Sequence, residues 1–358
     1  MSVSRGGTHR QQNIYSLGGK GMAQDLQQTK GQFKLRGKIK GIDNENALRT
    51  GDTQKGDSYK ALSFFVETSP NNAVKVELFG MEREFVYFYS SKHKDTKKVK
   101  WADRDKAIKE YKLIGTKMGI ELDEDDKVKN EMMVEWDAID YMAKHLKEGM
   151  SVYVSGDLNF STYENDQGET KNQVQNSIRN ITLTKEPIDF EADDFKEMAS
   201  FEQDIVVVDT IVDKESGKLN VMSKYINYKG DSVDNAFVVD INAEDGKYKK
   251  LANNMKKRFK FGDAIKVYGL ILNMAVKKEV EADVEEDDWG GEKPAGMDVT
   301  TEYVNEMRIT AVDSSTYEPK KYTEEDFYSE DEANFDGDDF ADDEEFEDEF
   351  SDEELPFD

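Results

Sequence analysis

From Phe33 onward the chain alternates apolar and polar positions with a period of two. Phe33, Leu35 and Ile39 fall on one face of a predicted strand, and Lys34, Arg36, Lys38 and Lys40 fall on the other. Further strand signals follow at Tyr59–Thr68, Ala73–Phe79 and Glu84–Tyr89, separated by turn-rich segments. A charged stretch from about Trp101 to Met118 reads as helical, and an acidic loop comes after it. The run DAIDYMAKHLKEG then predicts an amphipathic helix that stops at Gly149. Two long strands, Ser151–Tyr163 and Asn172–Thr184, are joined by the turn sequence ENDQGET, and Pro187 closes the unit.

The second half repeats this order. Strand signals lie at Asp204–Val212, Lys218–Tyr225 and Asn235–Ile241, followed by a basic helix (YKKLANNMKKRFKFG), the strand AIKVYGLILN and a last strand through TEYVNEMRITAV. Gly149 and Gly156 bracket a strand after the first helix, as Gly262 and Gly269 do after the second, and each half reaches an arginine on its final strand, Arg179 and Arg308. Two copies of one strand-rich unit are therefore expected. Short antiparallel strands with one helix between the third and fourth have the order of an OB-fold, a small partly open β-barrel. A pair of β-sandwiches would lack the helix. The expected organisation is a flexible basic arm over 1–31 and a first OB-fold over 32–187 with an insertion at about 90–135. A second OB-like fold then covers 188–322 with an acidic insertion at about 280–297, and a disordered acidic tail covers 323–358.

Charge changes the picture once it is divided by region. The formal net charge is −28, yet the segment from Thr323 to Asp358 holds 20 Asp and Glu and no cation, which leaves −8 for the rest. The run Glu281–Glu292 holds seven more carboxylates and no cation, so the remainder sits near −1. The first 40 residues are basic: Arg5, Arg10, Lys20, Lys30 and the four strand cations stand against Asp25 alone. The chain has no cysteine, which excludes disulfides and thiolate chemistry and suits a reducing compartment. The start lacks the apolar core of a secretory signal, and no apolar run reaches the ~18 residues of a membrane span, so a soluble cytoplasmic protein without membrane association is expected.

The tail cannot bury enough apolar surface to offset its ordering entropy, and it ends in Leu355-Pro356-Phe357-Asp358. An acidic run with a Leu-Pro-Phe tip resembles the C-terminus of bacterial and phage single-stranded DNA-binding proteins. The segment YMAKHLKEGMSVYVSGDLNFSTYENDQGETKNQVQNSIRNITL, within about Asp137–Leu183, is similar to the helix-strand-turn-strand segment of the same family. The resemblance implies an OB-fold that coats single-stranded DNA in replication, recombination and repair, with the tip (Leu355, Pro356, Phe357, Asp358) recruiting partner proteins. Bacterial members carry one OB-fold, form tetramers and end on the Phe. This chain departs from that pattern with two folds and an added Asp358, and its double-barrel, tail-bearing architecture suggests a phage-encoded relative, located in the host cytoplasm.

Sequence-independent binding of single strands needs cations that follow phosphates and aromatic faces on which bases stack. The candidates are Lys34, Arg36, Lys38 and Lys40; a basic loop of Lys92, Lys94, Lys97, Lys98 and Lys100 that ends at Trp101; Phe79 on a face shared with Lys75; Phe85, Tyr87 and Tyr89 on one face; and Tyr153 with Tyr163. Each aromatic could instead cover a barrel end, and the basic loop could be a solvated surface. The second unit offers Lys247, Lys249, Lys250, Lys256, Lys257, Arg258 and Lys260 beside Tyr225, Tyr228 and Tyr268, or else serves homodimerisation or docks the tail. Trp101 and Trp136 are expected to report binding by quenching. His9, His93 and His145 show no ligand spacing, and phosphate-cradling and nucleophile motifs are absent, so no enzyme, metal or cofactor is expected. The competing readings are an acidic DNA mimic and an OB-fold accessory subunit of a replication complex.

Overall fold

The computed structural model describes residues 26–53, 56–164, 168, 170–243, 246–279 and 299–327. Residues 1–25 of the arm, the acidic insertion and the tail from residue 328 with its tip lie outside the described residues, whereas the end of the arm is built into the fold: Thr29 is buried and its backbone N–H donates to the Ile226 carbonyl at 3.0 Å. Asp25–Tyr322 form one unit. The described residues after it, 323–327, make a short 3₁₀ turn at Glu324–Asp326 in which the Thr323 backbone N–H donates to Asp326 Oδ2 at 2.7 Å.

The first half contains β1 (Gly31–Lys40), β2 (Leu48–Asp52), β3 (Ser58–Ser69), β4 (Asn72–Met81), β5 (Phe85–Ser90), β6 (Asp95–Lys100), β7 (Lys112–Leu113), β8 (Thr116–Leu122), β9 (Val128–Met133), α1 (Glu135–His145), β10 (Ser151–Glu164) and β11 (Thr170–Leu183). Five of these strands close a barrel. β1 pairs antiparallel with β3 and β10, β3 with β4 and β10 with β11, and a parallel contact at Ser177 and Glu77 joins β11 to β4. Alternation decides what fills it: Phe33, Leu35, Phe64, Val76 and Val154 are buried while their neighbours face outward. Along α1, Ala138, Ile139 and Met142 are buried and cover one end of the barrel. The second half, β12 (Met198–Asp213), β13 (Lys218–Ile226), β14 (Ser232–Asp240), α2 (Lys249–Arg258), β15 (Ala264–Glu279) and β16 (Val299–Glu318), closes in the same order, again with one parallel contact, Val238 to Arg308. Both are OB-folds.

The two barrels share a seam. β1 pairs antiparallel with β12, and Phe33 stands opposite Phe201. On their other sides Phe33 faces Gly156 and Phe201 faces Gly269. The seam therefore runs through equivalent residues of the two repeats, and a local two-fold relates the barrels. The glycines are required there. A Cβ on Gly156 would enter the Ser177 carbonyl, and one on Gly269 would enter the Arg308 carbonyl and the Phe201 ring. The turns after the helices repeat as well: Gly149 (φ 78°) donates to the Ile39 carbonyl at 2.8 Å, and Gly262 (φ 81°) to that of Val207 at 2.9 Å.

Three readings of the sequence are corrected. The stretch 101–118 is not a helix: it holds a 3₁₀ turn at Trp101–Asp103, then turns, then β7 and the start of β8. The strand at 85–90 belongs to a separate three-stranded sheet, β6-β5-β7, rather than to the barrel. Arg179 and Arg308 are not equivalent. Gly156 lies opposite Ile178 and Gly269 opposite Ile309, so Arg308 matches Ser177, whereas Arg179 occupies a β-bulge that Thr310 fills in the second barrel. Arg179 ties that bulge to Asp157 at 2.7 Å and to Glu135, the first residue of α1, at 3.2 Å.

Candidate nucleic-acid interface

The small sheet is amphipathic by strand parity. Val86 and Phe88 are buried with Val134, and Val99, Trp101, Ile108, Tyr111, Leu113 and Trp136 pack around them. The alternate residues, Phe85, Tyr87 and Tyr89, lie on the opposite face. In the ladder Phe85 stands opposite Lys100, Tyr87 opposite Lys98, and Tyr89 between Thr96 and Lys112. Tyr87 and Tyr89 are 45% and 44% exposed, which leaves ring surface for a ligand, and Lys98 Nζ lies 3.6 Å from the Phe85 ring centroid. Rings and ammonium groups thus alternate across one outward face. Arg104 holds this sheet to the barrel: its guanidinium donates to both carboxylate oxygens of Asp137, in the first turn of α1, at 2.7 and 3.0 Å.

The expected basic loop is the tip and second strand of this hairpin, and its lysines divide. Lys98 and Lys100 project with the aromatics. Lys97 turns to the other side, 4.0 Å over Tyr111. Lys92 and His93 both bond Glu110, at 2.5 and 2.8 Å, and those two hydrogen bonds hold the Glu110 carboxyl below the usual carboxylate range. Tyr111 has its hydroxyl pKa raised by desolvation and by its hydrogen bond to Asp95. Lys94 sits at the turn with φ 54°. Trp101 is half-buried with Arg104 at 4.7 Å over its ring, and Lys60 lies 4.1 Å over Trp136. Both indoles already carry a cation on one face, so tryptophan quenching is a poor reporter here and oligonucleotide anisotropy is the suitable readout.

The outer face of β3 and β4 carries a second group. Phe79 is exposed and stacks on Tyr59 with centroids 5.5 Å apart, and Lys75 stands opposite exposed Phe65. Glu77, between them, is engaged by Arg49 at 2.5 Å. The cation row on β1 is largely committed. Lys34 is exposed, but Arg36 donates to the Lys196 carbonyl at 2.7 Å, Lys38 lies 4.7 Å over Phe190, and Lys40 pairs with Glu67 at 2.8 Å. The segment joining the barrels crosses this row and takes up two of its four cations. Tyr153, half-buried, lies between Arg36 and Thr182 in the sheet, and exposed Tyr163 sits ten residues further along the same strand face.

Lys112, Tyr59 and Phe65 are additions that the sequence reading missed. The pair Phe64-Phe65 on a period-two strand places one ring inside and the next outside, a signal that was present. Lys112 was hidden by the helical reading of its segment. In the second barrel Tyr225 is buried against Phe160 (centroids 4.8 Å apart), which removes it as a platform, whereas Tyr228 is 77% exposed. Through the seam equivalence, Lys34 and Arg36 correspond to Glu202 and Asp204, so the basic row is specific to the first barrel. Among the described residues there is no cluster suited to a metal ion, and no helix is long and apolar enough to cross a membrane.

A family model, YorF, matches residues 30–345. Among solved structures the chain is similar to the wild-type single-stranded DNA binding protein from Thermus aquaticus, at 11% identity and TM-score 0.35, covering 80% of this chain and 93% of that one. A deletion mutant of the same protein gives 11% and 0.35, covering 80% and 94%. No curated protein matches.

Proposed function

The chain belongs to the YorF family, and for it we propose sequence-independent, non-catalytic binding of single-stranded DNA. The observation that carries this reading is the outward face of the small sheet, where Phe85, Tyr87 and Tyr89 alternate with Lys98, Lys100 and Lys112. Residues two apart on a strand are about 6.8 Å apart, so the rings form a ladder. Bases can stack on it while the lysines meet the phosphates between them. Bases in a duplex already stack on one another and do not present their faces, so the ladder selects single strands. Phe79 and Tyr59 offer a further stacked pair on the outer face of β3 and β4, near the end of β4 that Glu82, Arg83 and Glu84 join to β5.

A titration of a labelled polypyrimidine oligonucleotide against a hairpin duplex, repeated over a range of salt, tests this. Each phosphate contact adds about −0.7 to the log–log salt slope on a single strand. Engagement of the three ladder lysines alone therefore gives a slope of about −2. Equal affinity for duplex and single strand at moderate salt overturns the proposal.

The proposal extends to coating DNA in replication, recombination and repair, with partners recruited by Leu355, Pro356, Phe357 and Asp358. The support is compositional: an acidic run ends in one compact apolar group, in which Pro356 limits the entropy lost on docking and Phe357 supplies a single anchor. Phe357→Ala is expected to abolish retention of replication or recombination proteins while leaving oligonucleotide affinity unchanged. Retention of the same proteins by the variant counts against the anchor.

A further inference from the structure

The two outward faces that carry rings and cations differ in one respect. On the small sheet the outward positions of β5, β6 and β7 are aromatic, lysine or Thr96, with no carboxylate among them. The outer face of β3 and β4 has Glu77 at its centre. Its outward row on β4 is Lys75, Glu77 and Phe79, which stand opposite Phe65, Ser63 and Ala61 of β3. Phe65 and Phe79 are both exposed, so ring surface lies one row, about 6.8 Å along the strand, to either side of the carboxylate. Both of its oxygens are held. Arg49, on the edge strand β2, donates Nη2 to Oε2 at 2.5 Å, and Gln175 of β11 donates Nε2 to Oε1 at 2.5 Å. The Arg49 side chain is half-exposed and that of Glu77 largely covered. Lys75 is exposed, and among the described residues no carboxylate pairs with it.

Barrel closure does not require a carboxylate at this position. Glu77 makes the parallel contact with Ser177 that closes the first barrel, and the second barrel closes through Val238 and Arg308. Since Ser177 and Arg308 correspond, Glu77 corresponds to Val238, an apolar residue that serves the same closure. A single ion pair with a half-exposed arginine also adds little stability. The carboxylate therefore needs another reason.

We infer that Glu77 restrains single-strand binding on this face. Its carboxylate withholds the Arg49 guanidinium from phosphate, and it sets a negative charge between the two rings, where the backbone of a strand stacked on Phe65 and Phe79 passes. Like charges a few ångströms apart repel even in water. The face then holds DNA through Lys75 and the rings alone, and Arg49 is a phosphate ligand kept in reserve. The inference rests on the single-strand reading above and adds to it a residue that lowers affinity instead of supplying it.

Anisotropy titrations of the full-length chain with a long thymidine oligonucleotide, over a range of salt, test this. Glu77→Gln keeps the size of the side chain and an oxygen for Arg49 to bond. It is expected to tighten binding about fivefold at low salt, the upper scale of one exposed charge pair. The log–log salt slope should become more negative by about 0.7 as Arg49 takes a phosphate. Glu77→Val, with the residue type of the second barrel, should act in the same direction. Arg49→Gln alone is expected to leave the slope in place, and in the Glu77→Gln background to remove the gain. Thermal melting reports folding. A lower melting temperature for the Glu77 variants with an unchanged slope assigns Glu77 a structural role and overturns the inference. A slope weakened by about 0.7 in Arg49→Gln alone also overturns it, because Arg49 then already holds a phosphate; this arm stands even if neither Glu77 variant folds. Binding by the unaltered protein with no gain in either Glu77 variant overturns the restraint and leaves the single-strand reading standing. Absence of oligonucleotide binding by all of the proteins overturns both.

Discussion

Replacing Tyr87 and Tyr89 together by alanine is expected to weaken binding of a pyrimidine oligonucleotide by at least about thirtyfold, because each base–aromatic stack contributes about 1–3 kcal/mol. The fold should be indifferent to the change. Both rings project from the outward side of β5, whereas the sheet is held by Val86 and Phe88 on its inner side and by the Arg104–Asp137 fork. Thermal melting of the double variant should therefore match the unaltered protein. Anisotropy titrations at two salt concentrations add a second check. Removing neutral rings lowers affinity while leaving the salt slope in place, whereas Lys98→Ala with Lys100→Ala lowers the slope itself. A double tyrosine variant that binds within twofold of the unaltered protein would show that the ladder carries no DNA.

The parts of this fold that were legible in the sequence are those set by local rules. Phe33, Leu35 and Ile39 alternate with cations, and that alternation alone fixes which face of β1 enters a core. The repeat was legible because the same backbone demand occurs twice. A left-handed turn residue after each helix needs Gly149 and Gly262, and a close strand approach seven residues later needs Gly156 and Gly269. The arginines misled because they lie on corresponding strands of the two repeats, β11 and β16, without sharing a backbone requirement. Arg179 fills a bulge, and nothing in composition distinguishes that position from its neighbours.

What escaped depends on residues distant in sequence. Lys92 and Lys97 look as available as Lys98 until Glu110 and Tyr111 are brought against the hairpin. Arg36 and Lys38 read as an open rail, but the segment that carries Lys196 and Phe190 crosses them. The stretch 101–118 has helix-compatible charge spacing, yet Gly115 lies where a side chain would strike the Met133 carbonyl, and the chain there runs as strand beside β9. The contact between β4 and β15 is the extreme case: Asn72 of the first repeat donates its Nδ2 to the Ile271 carbonyl of the second at 3.0 Å, on strands whose proximity follows only from the seam.

Phe33→Ala is expected to lower stability by about 3–5 kcal/mol, the range for truncating a buried phenylalanine, and the loss should be felt in both barrels. Phe33 is fully buried, and its strand is hydrogen-bonded to β3 and β10 of its own barrel and to β12 of the other. A cavity at this position removes packing from one of the two strands that form the seam. The local two-fold makes a second demand: Phe201→Ala, at the equivalent position and 3% exposed, should cost a similar amount. Hydrogen exchange followed by mass spectrometry reads the coupling directly. In the Phe33 variant the amides of β12 and β15 should exchange faster along with those of β10, since opening the seam exposes both sides. If protection falls in β10 while β12 and β15 keep theirs, the barrels open independently and the seam is a contact rather than a shared core.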